Sequence, residues 1–362
     1  MTPRGPRTGE SGFSLVELLI STAIMLVVTG AIFNLMNPAQ GNAQAQPEAA
    51  DIQQRMRVST DALFKELIIA GAGPYQGPIT GSLMGFFAPI LPRKIDDPAT
   101  GTGSFSPDKI TITYIPNSYS QTTITSAMPD ASAELKVADQ PNCPQGEQLC
   151  GFSIGMDVII FDTAGHFDLF TITQVQNSAG HLQHRDDTLS YPYDVGASIM
   201  AVVTNTYYRD AATNQLMKYD GHKAVPIADN VVDLRFDYFG DPNPPVSPKP
   251  PLGVANCLYD ASGNYVSGLS TLTATDGSLA ALTPAMLTDG PYCGSGQNQF
   301  DADLLRVRKV KVMLRVQAAS RSLRGSDPVR FRNAGTSTGG ERFIPDLQLS
   351  FDVSPRNLNL TR

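Results

Sequence analysis

The chain has no tryptophan and only four histidines, so chemistry built on a cluster of imidazoles has little to draw on. Charge is also scarce. Asp, Glu, Lys and Arg make up 17% of the residues, against about 25% in ordinary globular domains. The net charge of −7 argues against a general nucleic-acid or anionic-membrane binder, because both favour basic chains. No Cys-x-x-Cys is present, which weakens zinc and thioredoxin-like readings. EF-hand spacing, a P-loop and a G-x-G-x-x-G are absent too. What is abundant is turn-forming residues, with 31 Gly and 27 Pro in 362 positions. Hydrophobic residues at 41% suffice for a real core, and the length allows about two domains.

The longest uncharged apolar run lies near the N-terminus. Residues 1–12 are polar and contain Arg4 and Arg7. Leu18 to Met36 then carry no charge. As a helix that run is about 28 Å long, close to the roughly 30 Å of a bilayer core. The basic side is expected to stay cytoplasmic while the rest crosses outward. A secretory signal peptide fits poorly, since its apolar region is only about 7–15 residues. A plain membrane anchor fits better but leaves Glu17 unexplained. A carboxylate one turn into a membrane helix costs about 2.5–3.5 kcal/mol on insertion scales, which makes it a functional residue by default. It calls for a cation at the same depth.

Gly12-Phe13-Ser14-Leu15-Val16-Glu17-Leu18-Leu19-Ile20 resembles the class III signal of type IV pilins and pseudopilins. The resemblance implies that a prepilin peptidase cuts between Gly12 and Phe13 and that the new N-terminus at Phe13 is methylated. It implies that Glu17 meets the N-terminal amine of a neighbouring subunit during assembly. Two opposite charges brought together in hydrocarbon offset much of each other's desolvation and fix the register between helices.

Helical periodicity continues past the membrane. Ile52, Met56, Ser59, Leu63 and Leu67 form one stripe, with Phe64 and Ile68 beside it. This predicts one N-terminal helix over 13–70, membrane-spanning at about 18–36. Pro38 and Pro47 are expected to bend or break it between Met36 and Glu48. The rest, 71–362, is predicted to be a β-rich periplasmic or extracellular head. Residues 71–106 read as loops. Period-two strands are predicted at Lys109–Ile115, Asp157–Asp162, Phe167–Val175, Ala197–Tyr208, Gln215–Tyr219, Val231–Phe239, Val307–Val316 and Phe343–Val353, the last interrupted by Pro345. The fold class is α+β and pilin-like, a long helix packed on antiparallel sheets. Residues 241–300 open on DPNPPVSPKPP, which cannot be a central strand. They read as a long insertion between two strands of one sheet and as a partner-facing surface.

Residues 301–362 hold 12 basic and 6 acidic side chains. The basic face of 309–315 is expected beside the acidic face of 233–237, where opposite cross-strand charges help slightly.

Gly151-Phe152-Ser153-Ile154-Gly155 matches G-x-S-x-G. A nucleophile elbow needs a strand before the serine and a helix after it, and here the order is reversed. Ser153 is not expected to be catalytic, and His166 reads as a turn residue. His181-Leu182-Gln183-His184 reads as a polar turn rather than a metal site, with Asp186 and Asp187 nearby. Asp301 and Asp303 are two carboxylates, too few for calcium. No cofactor, metal or enzymatic activity is expected. Four cysteines allow three pairings, and all lie beyond the membrane helix, where disulfides form. The local pairs Cys143–Cys150 and Cys257–Cys293 are favoured.

Ile227–Phe236, Arg306–Val316 and Ser354-Pro355-Arg356-Asn357-Leu358 are similar to the PilW group of minor pilins. Pseudopilin J of type II secretion has a related layout with a generally smaller head. The resemblance implies a minor pilin of a type IV pilus, a structural subunit of the priming or tip complex that starts fibre assembly. A type II secretion pseudopilin is the alternative, and a pilus-borne adhesin or DNA receptor a further one. The implied partners are other minor pilins, the major pilin, prepilin peptidase, the inner-membrane assembly machinery and the membrane; nucleic acid is not expected. The implied location is the bacterial inner membrane, single-pass, and then the pilus.

Overall fold

The structure, a computed structural model, describes residues 12–74, 81–95, 104–116, 119–141, 143–185, 188–337 and 343–360; side chains are not described at 35–43 and 297. The leader up to residue 11, parts of the 71–106 stretch, and Asp186 and Asp187 lie outside these residues. A single α-helix runs Leu15–Ile69. It is followed by a β-rich head of antiparallel sheets. The architecture is α+β and pilin-like.

The two prolines predict a bend or break between Met36 and Glu48, but the chain is helical through both Pro38 and Pro47. Each proline removes one backbone donor, but its fixed φ is close to the helical value, and the helix continues through both.

The chain divides into two compact units. One comprises residues up to Asp51 together with Ala318–Pro345. Within it the Ala319 amide donates to Glu48 Oε1 at 2.7 Å, and Phe331 meets Phe343 edge-on at 5.5 Å. The other comprises Ile52–Gln317 and Asp346–Arg362.

In the larger unit the helical stripe is buried. Ile52, Met56, Ser59, Leu63 and Leu67 are closed off, whereas Phe64 stays 45% exposed. A four-stranded sheet has the order Ala280–Leu282, Val231–Gly240, Val307–Val316, Leu347–Val353. Its two long strands bury Val232, Leu234, Phe236 and Tyr238 on one, and Val310, Val312, Leu314 and Val316 on the other. Alternation at period two produces this one-sided burial. On the polar face Asp233 lies opposite Arg315, and Asp237 opposite Lys311. The close ion pairs run elsewhere: Arg315 Nε to Asp346 at 2.9 Å, and Lys309 Nζ to Asp352 at 3.0 Å.

A five-stranded sheet has the order Ile90–Leu91, Lys109–Tyr114, Val203–Asp210, Gln215–Tyr219, Ala224–Ala228. A second four-stranded sheet holds Gln121–Thr123, Ser198–Ala201, Asp157–Phe161 and Phe167–Thr171. The expected single strand Ala197–Tyr208 is therefore two strands in different sheets. The expected Phe167–Val175 strand ends at Thr171, and the last strand begins only at Leu347, past Pro345. Proline cannot donate a ladder bond, so pairing starts beyond it.

Candidate functional site

The region that the sequence marks for chemistry is the start of the helix. Gly12 and Phe13 precede the first helical residue, Leu15. Among the described residues no heavy atom lies within 4 Å of where a side chain on Gly12 would stand, and Phe13 is 90% exposed. The Gly12–Phe13 bond is thus in open, non-helical backbone, where a protease can bind it in extended form.

Ser14 caps the helix. Its hydroxyl accepts from the Val16 amide at 3.2 Å, and its own amide donates to Glu17 Oε2 at 3.0 Å. This reciprocal pair is a capping box, which satisfies two helix-end donors at once. It holds the Glu17 carboxylate at the positive end of the helix dipole, where an anion is favoured. Beyond it, Thr22 folds its hydroxyl back onto the Leu18 and Leu19 carbonyls, each at 3.0 Å, hiding a polar group within the apolar run. From Leu15 to Asn34 the helix is long and apolar enough to cross a membrane, and none of it is buried. So large an exposed apolar surface needs lipid or protein around it.

Residues 7–33 match the family model described as the prokaryotic N-terminal methylation motif. With the helix and the sheet-rich head, this match supports a type IV pilin-like or pseudopilin-like protein anchored in a membrane through its N-terminal helix. No curated protein matches the chain.

The other residues singled out from sequence are spread across the head. Ser153 is exposed in a turn that leads into the Asp157–Phe161 strand, with no helix after it. His166 bonds Asp162 through Nδ1 at 2.8 Å and stacks on Tyr191. The H-x-x-H segment is a strand, His181–Gln183, and not a turn. His184 lies just past the end of that strand, and the two imidazoles take different partners. His181 pairs with Glu134 at 3.0 Å, and buried His184 bonds the Ala133 carbonyl at 2.9 Å.

Asp301 and Asp303 are joined by a third carboxylate, Asp289, with oxygens of all three within 4.8 Å of one another. Sequence reasoning missed Asp289 because only the folding of the insertion brings it there. Oxygen ligands of this kind suit calcium, yet Asp301 and Asp303 already have protein partners. Asp301 accepts from the Gly290 and Asp303 amides. Asp303 pairs with the buried Arg306 at 2.7 Å. Burial pushes Asp303 up to about 6 despite that guanidinium. Arg306 also donates to the Pro242 and Ser270 carbonyls at 3.2 and 2.9 Å. It therefore fastens the start and middle of the 241–300 insertion to the strand that follows. Disulfides join Cys257 to Cys293 and Cys143 to Cys150.

One hub carried no sequence signal. Glu66, on the helix, accepts from Lys218 Nζ at 2.9 Å and from Asn205 Nδ2 at 3.1 and 3.2 Å. It also bonds the hydroxyls of Tyr114 and Tyr207. Burial first, and then the Glu66 charge, push Tyr114 up to about 12 and raise Tyr207 further.

Proposed function

We propose that this chain is a minor pilin of a type IV pilus, similar to the PilW group, and a structural protein rather than an enzyme. The observation that carries this reading is the Gly12-Phe13 bond in open backbone, four residues ahead of Glu17, on an exposed apolar helix joined to a large disulfide-bonded β-rich head. In this reading prepilin peptidase removes residues 1–12 and methylates Phe13. The subunit waits in the inner membrane with its head in the periplasm. Glu17 then meets the N-terminal amine of a neighbour, and the head selects other minor pilins and the major pilin in a priming or tip complex. A head of this size suits a subunit used once per fibre, since it would crowd a repeating shaft. Type II secretion pseudopilins use the same motif. Deleting the gene and scoring both piliation and secretion separates the two machines.

The test is the intact mass of the protein in sheared surface fibres, before and after reduction. The expected mass lacks residues 1–12, carries one added methyl, and shifts on reduction by two disulfides. Full-length mass confined to membranes would overturn the reading.

A further inference from the structure

Ala318–Pro345 forms a lobe on the N-terminal helix, in one compact unit with the chain up to Asp51. Its backbone folds back on itself. The Thr336, Ser337 and Ile344 amides donate to the Arg321, Arg324 and Leu323 carbonyls at 2.8, 3.0 and 2.8 Å. Leu323 and Phe331 are its buried centre. The Asp327 carboxylate accepts from the Val329 amide at 3.0 Å and shapes a tip at Pro328 and Val329. Val329 is 83% exposed. Arginines surround this apolar tip. Arg321, Arg330 and Arg332 all lie at the surface, the last two on either side of buried Phe331. Residues 318–337 hold four arginines and one acid, Asp327. That acid stands 3.7 Å from Arg330 with both groups exposed, where an ion pair is weak. On the adjoining helix, Glu48 accepts from the Ala319 amide, and Asp51 lies about a turn further from the apolar span.

The same unit contains the apolar span Leu15–Asn34. On one continuous helix, Glu48 stands about 21 Å beyond Asn34. A compact body of this length has a radius of gyration of about 8 Å, and so an outer radius of about 10 Å. The membrane-facing side of the lobe therefore reaches to about 11 Å from the hydrocarbon core. The headgroup layer fills about 5–7 Å of that distance. The gap that remains is shorter than the Debye length of about 8–10 Å, so the arginines act on headgroup charge with little screening. Basic side chains around an exposed apolar tip combine two attractions, charge to anionic headgroups and apolar area to the acyl boundary. We propose that the Ala318–Pro345 lobe docks on anionic phospholipid headgroups, with Arg321, Arg330 and Arg332 on the phosphates and Val329 dipping into the layer. The proposal needs the membrane-anchored helix and not the assignment to a pilus. The docked lobe gives the chain a second hold on the bilayer beside the helix, one that salt releases and the helix does not share.

Fluorescence quenching in the full chain, reconstituted into vesicles, tests this. The four native cysteines are all bridged, so Val329→Cys supplies the sole free thiol for an environment-sensitive fluorophore. The vesicles are phosphatidylcholine alone, or phosphatidylcholine with about one third phosphatidylglycerol, each with a trace of lipid carrying a nitroxide near the headgroup. Quenching is expected to be at least about threefold greater in the anionic vesicles. At 1 M salt, where the Debye length is about 3 Å, it is expected to fall to the neutral-vesicle level. Arg321→Gln, Arg330→Gln and Arg332→Gln together are expected to do the same at low salt, while the three lysine replacements keep most of the anionic quenching. A non-reducing peptide map with both native disulfides intact certifies the fold of each variant. Equal quenching in the two kinds of vesicle, or quenching that survives the three glutamines, overturns the proposal. So does a label that stays in water in anionic vesicles and is shielded only in assembled fibres, which assigns the arginines to an acidic protein neighbour instead.

Discussion

The two halves of one helix differ in what surrounds them. From Leu15 to Asn34 every residue is exposed, including Leu18, Met25, Leu26 and Phe33. From Ile52 to Ile69 a single stripe is buried so completely that Ser59, Leu63 and Leu67 show no accessible surface. Helical geometry is the same in both. The difference lies in the spacing of polar residues. The first half is apolar all round, which suits lipid or a bundle of like helices. The second half alternates at helical period, which suits one sheet-built surface. One secondary-structure element thus serves two environments, and each half should fail in its own assay.

The largest expected effect is on assembly. Glu17→Gln removes a charge from the exposed half and is expected to cut incorporation into surface fibres at least about tenfold, that is by 1.4 kcal/mol or more. Heat unfolding of the head should not move, because Glu17 bonds only the Ser14 amide among the contacts described. A shifted head transition would break the comparison. In the buried half, Leu63→Ala should cost the head about 2–5 kcal/mol in denaturant unfolding. Leu26→Ala, in the exposed half, should change the same transition by less than about 0.5 kcal/mol. Glu66→Gln comes next. It leaves Lys218 and Asn205 without their carboxylate and should cost about 1–3 kcal/mol.

The smallest effect sharpens the same point through pH. Tyr114 and Tyr207 keep their protons in the folded head to higher pH than an ordinary tyrosine, which titrates at about 10. Below about pH 10 both folded and unfolded chains hold these protons, and the full stability is present. As pH rises through 12 the unfolded chain ionises first, so stability falls. Glu66→Gln removes one cause of the raised value, and Tyr114 should then titrate at lower pH. With no tryptophan but 12 tyrosines in the chain, the difference in tyrosinate absorbance between the Glu66→Gln and parent proteins reads this change. A Tyr114 titration that ignores Glu66→Gln would sever the helix from the five-stranded sheet.

Much of this was legible beforehand, and for local reasons. The stripe Ile52-Met56-Ser59-Leu63-Leu67 and the alternation in Val231–Gly240 and Val307–Val316 are written in residue order. The insertion 241–300 was legible from its prolines. It does separate two strands that pair directly, and it returns a short strand, Ala280–Leu282, to the edge of their sheet. What failed was non-local. Nothing in Ala197–Tyr208 marks Val202 as the point where the chain passes from one sheet to another. Asp289 is remote in sequence from Asp301 and meets it only because the insertion folds back. His181 looked like a turn residue, because polar side chains at a strand edge have no signature of their own.

The sequence by itself determined the Gly12-Phe13 junction, the Glu17 carboxylate, the apolar span and the strand periodicities. Each depends on neighbours within one or two turns of chain, and short-range sterics and hydropathy settle those. Only the tertiary structure decided that Glu66 gathers a lysine, an asparagine and two tyrosines, that Arg306 clasps the insertion, and that Leu347–Val353 ends a sheet with its edge open. Those outcomes depend on which strands become neighbours. Neighbour choice is fixed by the sum of burial over the whole core and not by any segment's own preference.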